Sequence, residues 1–397
     1  MESLVIYLIL LLAIVAGWVL GRFTARNRKE QTRDTGDIFE DYFVGLNYLL
    51  NDEPDEAIDT FIKALEVNSE TFETHLALGA LLRRRGKVDK AIKVHQNLLA
   101  RPGLEPSFSD STRLQLAVDY ISAGLLDRAE RLLDDILSEN SSAKWGALRH
   151  LITIYQTEKE WEKAINCSAM LLANSAYKKE AELKAAAAHY CCEAAEQFLK
   201  KEEQPNKARE LIKRAFSFDK DNVRASLLLA RIEQLVGNFK SATKCLIKVR
   251  KNNPEFISQI LGPLAECYEQ LQNMPEYEEL LSNSLRDGPD VSVVLALSQL
   301  VKNRAGDEAA IEFLNDYLTE KPSLTGLVEL LRLQIPKAGA KVGSNLSLLQ
   351  LTVDKVLRKK PAYQCNHCGY ESRNLYWLCP SCKKWDKIKP IMESGSF

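Results

Sequence analysis

Glycine and proline are scarce, 18 and 13 among 397 residues. Together they fall below the ~12% usual in soluble proteins, which excludes collagen-like and turn-dense β architectures and favours a mostly helical chain. Net charge is almost absent too: 53 Lys and Arg against 54 Asp and Glu leave −1. No global field therefore draws the chain to nucleic acid, and any attraction to polyanions must be local. The common catalytic signatures are missing, with no Gly-x-x-x-x-Gly-Lys phosphate loop, no His-Glu-x-x-His zinc site and no Gly-x-Ser-x-Gly elbow. Nine cysteines are too few for a disulfide scaffold of this length, yet four of them crowd into the last 33 residues. With 46% hydrophobic and 27% charged residues the chain can bury a substantial core, and its length suggests two or three units.

From Leu4 to Leu20 there is no charged residue, and a helix of that length rises about 25 Å, close to the ~30 Å hydrocarbon thickness. A cleaved signal peptide would carry positive charge before the apolar run. Here the polarity is reversed: Glu2 and Ser3 precede the run, and Arg22, Arg26, Arg28, Lys29 and Arg33 follow it. The positive-inside rule then predicts a single-pass anchor over residues 1–21 with everything after Arg22 cytoplasmic. Residues 22–37 read as a basic juxtamembrane tether near anionic headgroups. Gly17 and Gly21, spaced i, i+4, would permit close helix approach.

Residues 38–360 carry a repeat. Ala57, Ala91, Ala129, Ala164, Ala208, Ala242 and Ala310 stand at steps of 34, 38, 35, 44, 34 and 68, the last a double step in which Tyr277 takes the skipped place. Ala57, Ile58, Phe61, Ala64 and Leu65 fall at helical spacing on one face. Small residues such as Gly45 and Ala57 let paired helices approach, while Tyr48 and Phe61 fill the space between successive units. The period resembles that of the tetratricopeptide repeat, which implies an all-α superhelix of about nine units with a concave binding side. The step of 38 predicts a longer loop around Arg101, Pro102, Gly103 and Pro106, and the step of 44 predicts longer helices around Ala181 to Glu203. A final helical pair is expected from roughly Ser323 to Lys360, and Pro254, Pro289 and Pro322 close three units.

Cys167, Cys191, Cys192, Cys245 and Cys267 sit in apolar helix patterns and read as packed thiols, which suits a cytosolic compartment. The run Arg83, Arg84 and Arg85 before Gly86 reads as a solvated helix end rather than a phosphate site. His75, His95, His150 and His189 are scattered, with no second ligand at metal spacing.

Residues 361–397 hold the strongest chemical signal. Cys365 and Cys368 form one Cys-x-x-Cys pair, and Cys379 and Cys382 form a second after a gap of ten residues. Each pair offers two sulfurs from one tight turn, and two turns complete a tetrahedron around one metal ion, Zn or Fe. Four thiolates leave no open position, so the expected role is structural. Gly369 follows its second cysteine, where positive φ is often required. His367 lies inside its knuckle and reads as exposed, and Trp377, Trp385 and Tyr376 are placed to cover the knuckles or seat them on the helical array.

Cys-x-x-Cys-Gly-Tyr followed by Cys-Pro-x-Cys resembles rubredoxin, with two departures: the short gap, and Lys383 where rubredoxins usually have glycine. The whole arrangement, from anchor to the end reading Trp377-Leu378-Cys379-Pro380-Ser381-Cys382-Lys383-Lys384-Trp385, resembles the lipopolysaccharide assembly protein B family of Gram-negative bacteria. That resemblance implies a non-enzymatic regulator at the inner membrane. It implies three partners as well: the FtsH protease, the LpxC deacetylase whose degradation is promoted, and an inner-membrane lipopolysaccharide sensor protein. Two other readings stay open at this point, a scaffold for lipopolysaccharide synthesis and transport proteins and an iron-dependent redox protein. The sequence leaves the oligomeric state open, a homo-oligomer included.

Overall fold

The computed structural model describes residues 72–391 except 103, 140, 202, 203, 288 and 289, together with Trp18, Val44, Gly45, Asn47, Tyr48, Glu56 and Thr60. The anchor expected over 1–21, apart from Trp18, and the tether expected over 22–37 lie outside the described residues, as do Ala57 and Phe61. Among the described residues no helix is long and apolar enough to cross a membrane. The chain divides into two compact units, Met1–Ile154 and Tyr155–Phe397.

Helices follow one another with short turns: α1 (Phe72–Arg84), α2 (Val88–Leu99), α3 (Pro106–Ser122), α4 (Leu126–Ser138) and α5 (Lys144–Glu158). Tyr155, near the end of α5, opens the second unit. There follow α6 (Trp161–Ala173), α7 (Ala181–Lys201), α8 (Pro205–Phe218), α9 (Val223–Leu235), α10 (Phe239–Asn252), α11 (Ile257–Gln270), α12 (Met274–Asp287), α13 (Val291–Ala305), α14 (Asp307–Glu320), α15 (Leu324–Gln334) and α16 (Ala340–Leu357). Within each unit helices pack on sequence neighbours, and first helices of successive pairs pack on one another, as α1 does on α3 and as α7, α9, α11, α13 and α15 do in series. The longer helix expected near Ala181 is α7, of 21 residues. The pair expected at the end is α15 and α16, with Ser323 capping the former by accepting from the Gly326 amide at 3.2 Å.

The repeat has a backbone cause and a packing cause. At the turn inside successive pairs one residue has a positive φ: Gly86, Gly124, Lys159, Gly237, Gln272 and Gly306. At five of them the next amide reaches back to close the helix, as Lys87 does to the Leu82 carbonyl at 2.9 Å and Asn238 to that of Glu233 at 2.7 Å. This is the Schellman closure, which glycine adopts without steric cost. The alanines at 91, 129, 164, 208, 242 and 310 are fully buried, so the absent side chain is what lets each second helix settle onto the first. Tyr277, in the skipped place, is buried and donates its hydroxyl to the Leu261 carbonyl at 3.1 Å. In the second unit one apolar cluster runs from Val223 to Leu297.

Two polar groupings lie inside these cores. In the first unit His95 and Asp119 are both fully buried and hydrogen bonded through Nδ1 and Oδ2, and Arg83 reaches the other Asp119 oxygen at 2.6 Å. Arg83 is therefore not part of a solvated helix end, as the arginine run suggested; only Arg84 and Arg85 are exposed. A buried carboxylate needs a paired cation, and that need outweighs the gain from hydrating the guanidinium. In the second unit buried Arg224 bridges Glu193 at 2.9 Å and Glu196 at 2.8 Å. The five cysteines of the array are packed as expected, with Cys191 and Cys192 fully buried and burial pushing the Cys191 thiol up to about 12.

The His95 ring fits because residue 79 has no side chain: a Cβ there would meet the imidazole at 2.3 Å. His95 is held by Asp119 and cannot yield. Gly79→Ala should therefore lower unfolding stability by roughly 2–3 kcal/mol and speed amide exchange in α1 and α2. Denaturation and exchange curves superposing on those of the parent would disprove the contact.

Candidate metal centre

Beyond α16 the chain forms a three-stranded antiparallel sheet, ordered β2 (Glu371–Ser372), β1 (Tyr363–Cys365), β3 (Ile388–Pro390), with Tyr363 opposite both Ser372 and Pro390. Its two knuckles share one hydrogen-bond pattern. The Cys365 amide donates to the Tyr370 carbonyl at 2.8 Å and the Gly369 amide returns to Cys365 at 2.9 Å; Cys379 to Lys384 and Lys383 to Cys379 repeat this at 3.0 Å each. Both turns need positive φ after the second cysteine, 75° at Gly369 and 56° at Lys383. Lysine tolerates that conformation at a cost of about 1 kcal/mol, so the departure from glycine leaves the second knuckle intact.

The turns bring the four sulfurs within 4.8 Å of one another. Cys365 and Cys382 are separated by 3.9 Å, and Cys368 and Cys379 by 3.7 Å. A disulfide needs about 2.05 Å. A tetrahedron with metal–sulfur bonds of about 2.3 Å has edges of about 3.8 Å, so the geometry suits one tetrathiolate metal. Cys365 and Cys379 are buried, Cys382 is half-buried and Cys368 is exposed, while His367 is exposed and outside the cluster. The Tyr370 amide pulls the Cys368 thiol down to about 6, whereas desolvation pushes Cys382 up to about 11. The pocket thus favours one thiolate and resists another until a cation compensates the charge. Sulfur donors suit zinc or iron, and the complete tetrahedron makes the centre a structural staple.

The second knuckle is a hairpin that carries two indoles. Leu378 bridges Trp385, and the Asp386 amide donates to the Trp377 carbonyl at 2.9 Å. Trp385 stacks on His189 of α7 at 4.9 Å, meets Tyr190 edge-on at 5.8 Å, and donates its Nε1–H to Gln156 at 3.0 Å. Gln156 also accepts from the Tyr190 hydroxyl at 2.7 Å. Trp377 stacks on Phe256 at 5.8 Å, and Gln259 donates to the Tyr363 hydroxyl at 2.6 Å. At the rim, Lys384 pairs with Glu182 at 3.0 Å and Lys389 with Glu255 at 3.9 Å, the latter also lying over the Phe256 ring at 4.9 Å. Trp377 and Trp385 thus seat the module on the array, as the sequence suggested, whereas Tyr376 is exposed.

His189, Gln156, Phe256 and Gln259 were not singled out from the sequence as functional residues. Their signal is the pair of tryptophans, which shows that a seat exists without naming its other half. His189 is the unusual member. It is fully buried, neither ring nitrogen has a hydrogen-bond partner, and the charges that act on it are those of Arg224 and Lys389. Burial first, then those two cations, hold its pKa well below 6.5.

The carboxyl-terminal residues 363–390 match the rubredoxin metal binding domain, and residues 74–106 match the tetratricopeptide repeat. The chain is similar to lipopolysaccharide assembly protein B of Escherichia coli strain K12, at 33% identity over 387 residues covering 97% of each chain. It is similar also to the protein of that name from Haemophilus influenzae, at 35% over 399 residues covering 97% of this chain and 98% of that one. Among solved structures, a tetratricopeptide repeat protein from Parabacteroides merdae is covered completely and covers 71% of this chain, at 13% identity and a TM-score of 0.34.

Two outcomes are expected. Cys365→Ser with Cys368→Ser should abolish stoichiometric metal content and red-shift tryptophan emission as Trp377 and Trp385 lose their seat, since metal binding supplies on the order of 10 kcal/mol to so small a fold; equal metal content in variant and parent would refute the assignment. The second concerns pH. A neutral histidine with a depressed folded pKa contributes stability that is complete above its unfolded pKa of 6.5 and is lost as pH falls below it. Stability of the seat should decline by about 1.4 kcal/mol per pH unit below that point, and His189→Phe should flatten this slope in urea titrations. A slope unchanged by the substitution would rule out His189 as its source.

Proposed function

The chain belongs to the lipopolysaccharide assembly protein B family, and from that premise we propose that it is a non-enzymatic inner-membrane adaptor that promotes degradation of the LpxC deacetylase by the FtsH protease. In this reading the body faces the cytoplasm, an amino-terminal anchor holds it beside the membrane protease, and an inner-membrane lipopolysaccharide sensor protein sets its activity. The observation that carries the reading is the similarity over 97% of the chain to relatives named for lipopolysaccharide assembly, array and tetracysteine module together.

The physical chemistry supports an adaptor. Stacked helix pairs present broad side-chain surfaces for binding. Cys365, Cys368, Cys379 and Cys382 would hold one structural zinc or iron ion, which keeps the second knuckle closed and so keeps Trp377 and Trp385 seated. The metal would act by fixing the shape of a surface rather than by reacting. Adaptor is favoured over redox protein by the relatives named for lipopolysaccharide assembly.

The reading is tested by following LpxC after synthesis is stopped, in cells whose only copy is the parent chain, a chain lacking residues 1–21, or the Cys365→Ser/Cys368→Ser variant. Both altered chains should lengthen the LpxC half-life severalfold, and membrane cross-linking should recover FtsH with the parent. An unchanged half-life for both would reject the adaptor role, and cross-links to synthesis proteins without FtsH would favour a scaffold.

A further inference from the structure

Two helices of the second unit carry opposite charge in one register. Helices α10 and α14 are both 14 residues long. Their buried alanines, Ala242 and Ala310, hold the same place in the repeat, separated by the double step of 68. Aligned on those alanines, Lys240, Lys244 and Lys248 coincide with Glu308, Glu312 and Asp316. In all, α10 has five cations and no carboxylate, whereas α14 has five carboxylates and no cation.

The members of each stripe stand four residues apart, so they line one face of their helix. That face is the outward one. Ala242, Leu246 and Val249 of α10, and Ala310 and Leu314 of α14, are buried on the opposite side, while all six residues of the two stripes are exposed. Lys251, also exposed, extends the basic stripe by a turn. At the equivalent positions the intervening α12 has exposed Pro275, Glu279 and Asn283, with a single charge.

Little within the chain uses these charges. Lys248 pairs with Asp221 at 3.4 Å and Glu308 with Lys337 at 2.7 Å. Lys240, Lys244, Lys251, Glu312 and Asp316 enter no ion pair among the described residues, and none joins α10 to α14. Like charges four residues apart destabilise their own helix, so neither stripe serves the fold.

We propose that the outward face of α10 docks on the outward face of α14 in a second copy of this chain, lysine stripe against carboxylate stripe. The two faces have equal length, equal spacing and opposite sign, the complementarity by which an interface selects its partner and fixes its register. An anionic membrane or another polyanion would engage α10 alone and leave the acidic stripe without a counterpart; a second copy uses both. Where each copy gives both faces to the other, the contact closes as a two-fold dimer; where it gives one face to each neighbour, the contact continues as a row. Exposed ion pairs are individually weak and screened by salt, so the association depends on the stripes acting together and is salt-sensitive. The adaptor reading does not use this surface, and the contact stands or falls separately.

The test is energy transfer between two separately labelled samples of the full chain in detergent. The parent should associate in about 50 mM salt and dissociate in about 500 mM. Lys240→Glu with Lys244→Glu, and separately Glu312→Lys with Asp316→Lys, should each weaken self-association by about tenfold or more. All four residues are exposed and outside the ion pairs of the fold, so the fold survives. A mixture of the two variants should associate again, because the unaltered α14 face of the first meets the unaltered α10 face of the second. Equal self-association of the parent and both variants, as contact through other residues would give, overturns the proposal. So does a parent that stays monomeric in low salt, a mixture that fails to associate, or a loss confined to the lysine variant, which would leave α14 outside the contact.

Discussion

Four cysteine sulfurs held within 4.8 Å of one another are the constraint on which the carboxyl-terminal half of the molecule turns. Four thiolates at that separation repel strongly, and four thiols give no net attraction, so the arrangement is stable only around a cation. Once closed, the second knuckle has no freedom left. Its amides are committed at Cys379, Lys383 and Asp386, and the two indoles that bracket it point to one side. A local coordination problem is thereby converted into the placement of Trp377 and Trp385 on helices more than a hundred residues earlier in the chain.

The seat itself is held by burial more than by charge. Glu182 receives both Lys384 and Lys387, but its side chain is 61% exposed, and ion pairs in that setting contribute at most about 1 kcal/mol. Trp385 is 8% exposed and its indole donates to a glutamine that also accepts from Tyr190, so losing it removes a large apolar contact and one of the two hydrogen bonds that Gln156 accepts. The lysines fix register at the edge, and the aromatic residues carry the stability. His189 is the weak point in that apolar seam, because its nitrogens stay dry only while the ring is neutral.

Much of this was legible in the sequence for physical reasons. The alanine period reports where helices touch, and every alanine of that series among the described residues is fully buried. The cysteine spacing reports a turn geometry, and the sulfurs do converge. What could not be read were contacts between groups distant in sequence. Arg83 looks like surface until Asp119 is seen beside it, and nothing around His189 distinguishes it from a core histidine in an alanine-rich helix. Lys159 and Gln272 adopt the left-handed turn conformation that glycine would have advertised. There the helix closure outweighs the steric cost, so the turn is present without its usual sign.

A short connection joins α16 to the metal module. Only residues 358–362 separate it from β1, and three of those five are cations. The module is thus fixed on one side by its aromatic seat on α7 and on Phe256 just before α11, and on the other by a short strap that leaves the array from α16. A strap that short passes on rotation or displacement of α16 instead of absorbing it in slack chain. The strap runs directly into β1, the middle strand, where Tyr363 and Cys365 sit two residues apart, one bonded to Gln259 and the other within the sulfur cluster. The covalent link between array and module is thus one helix, five residues and one strand.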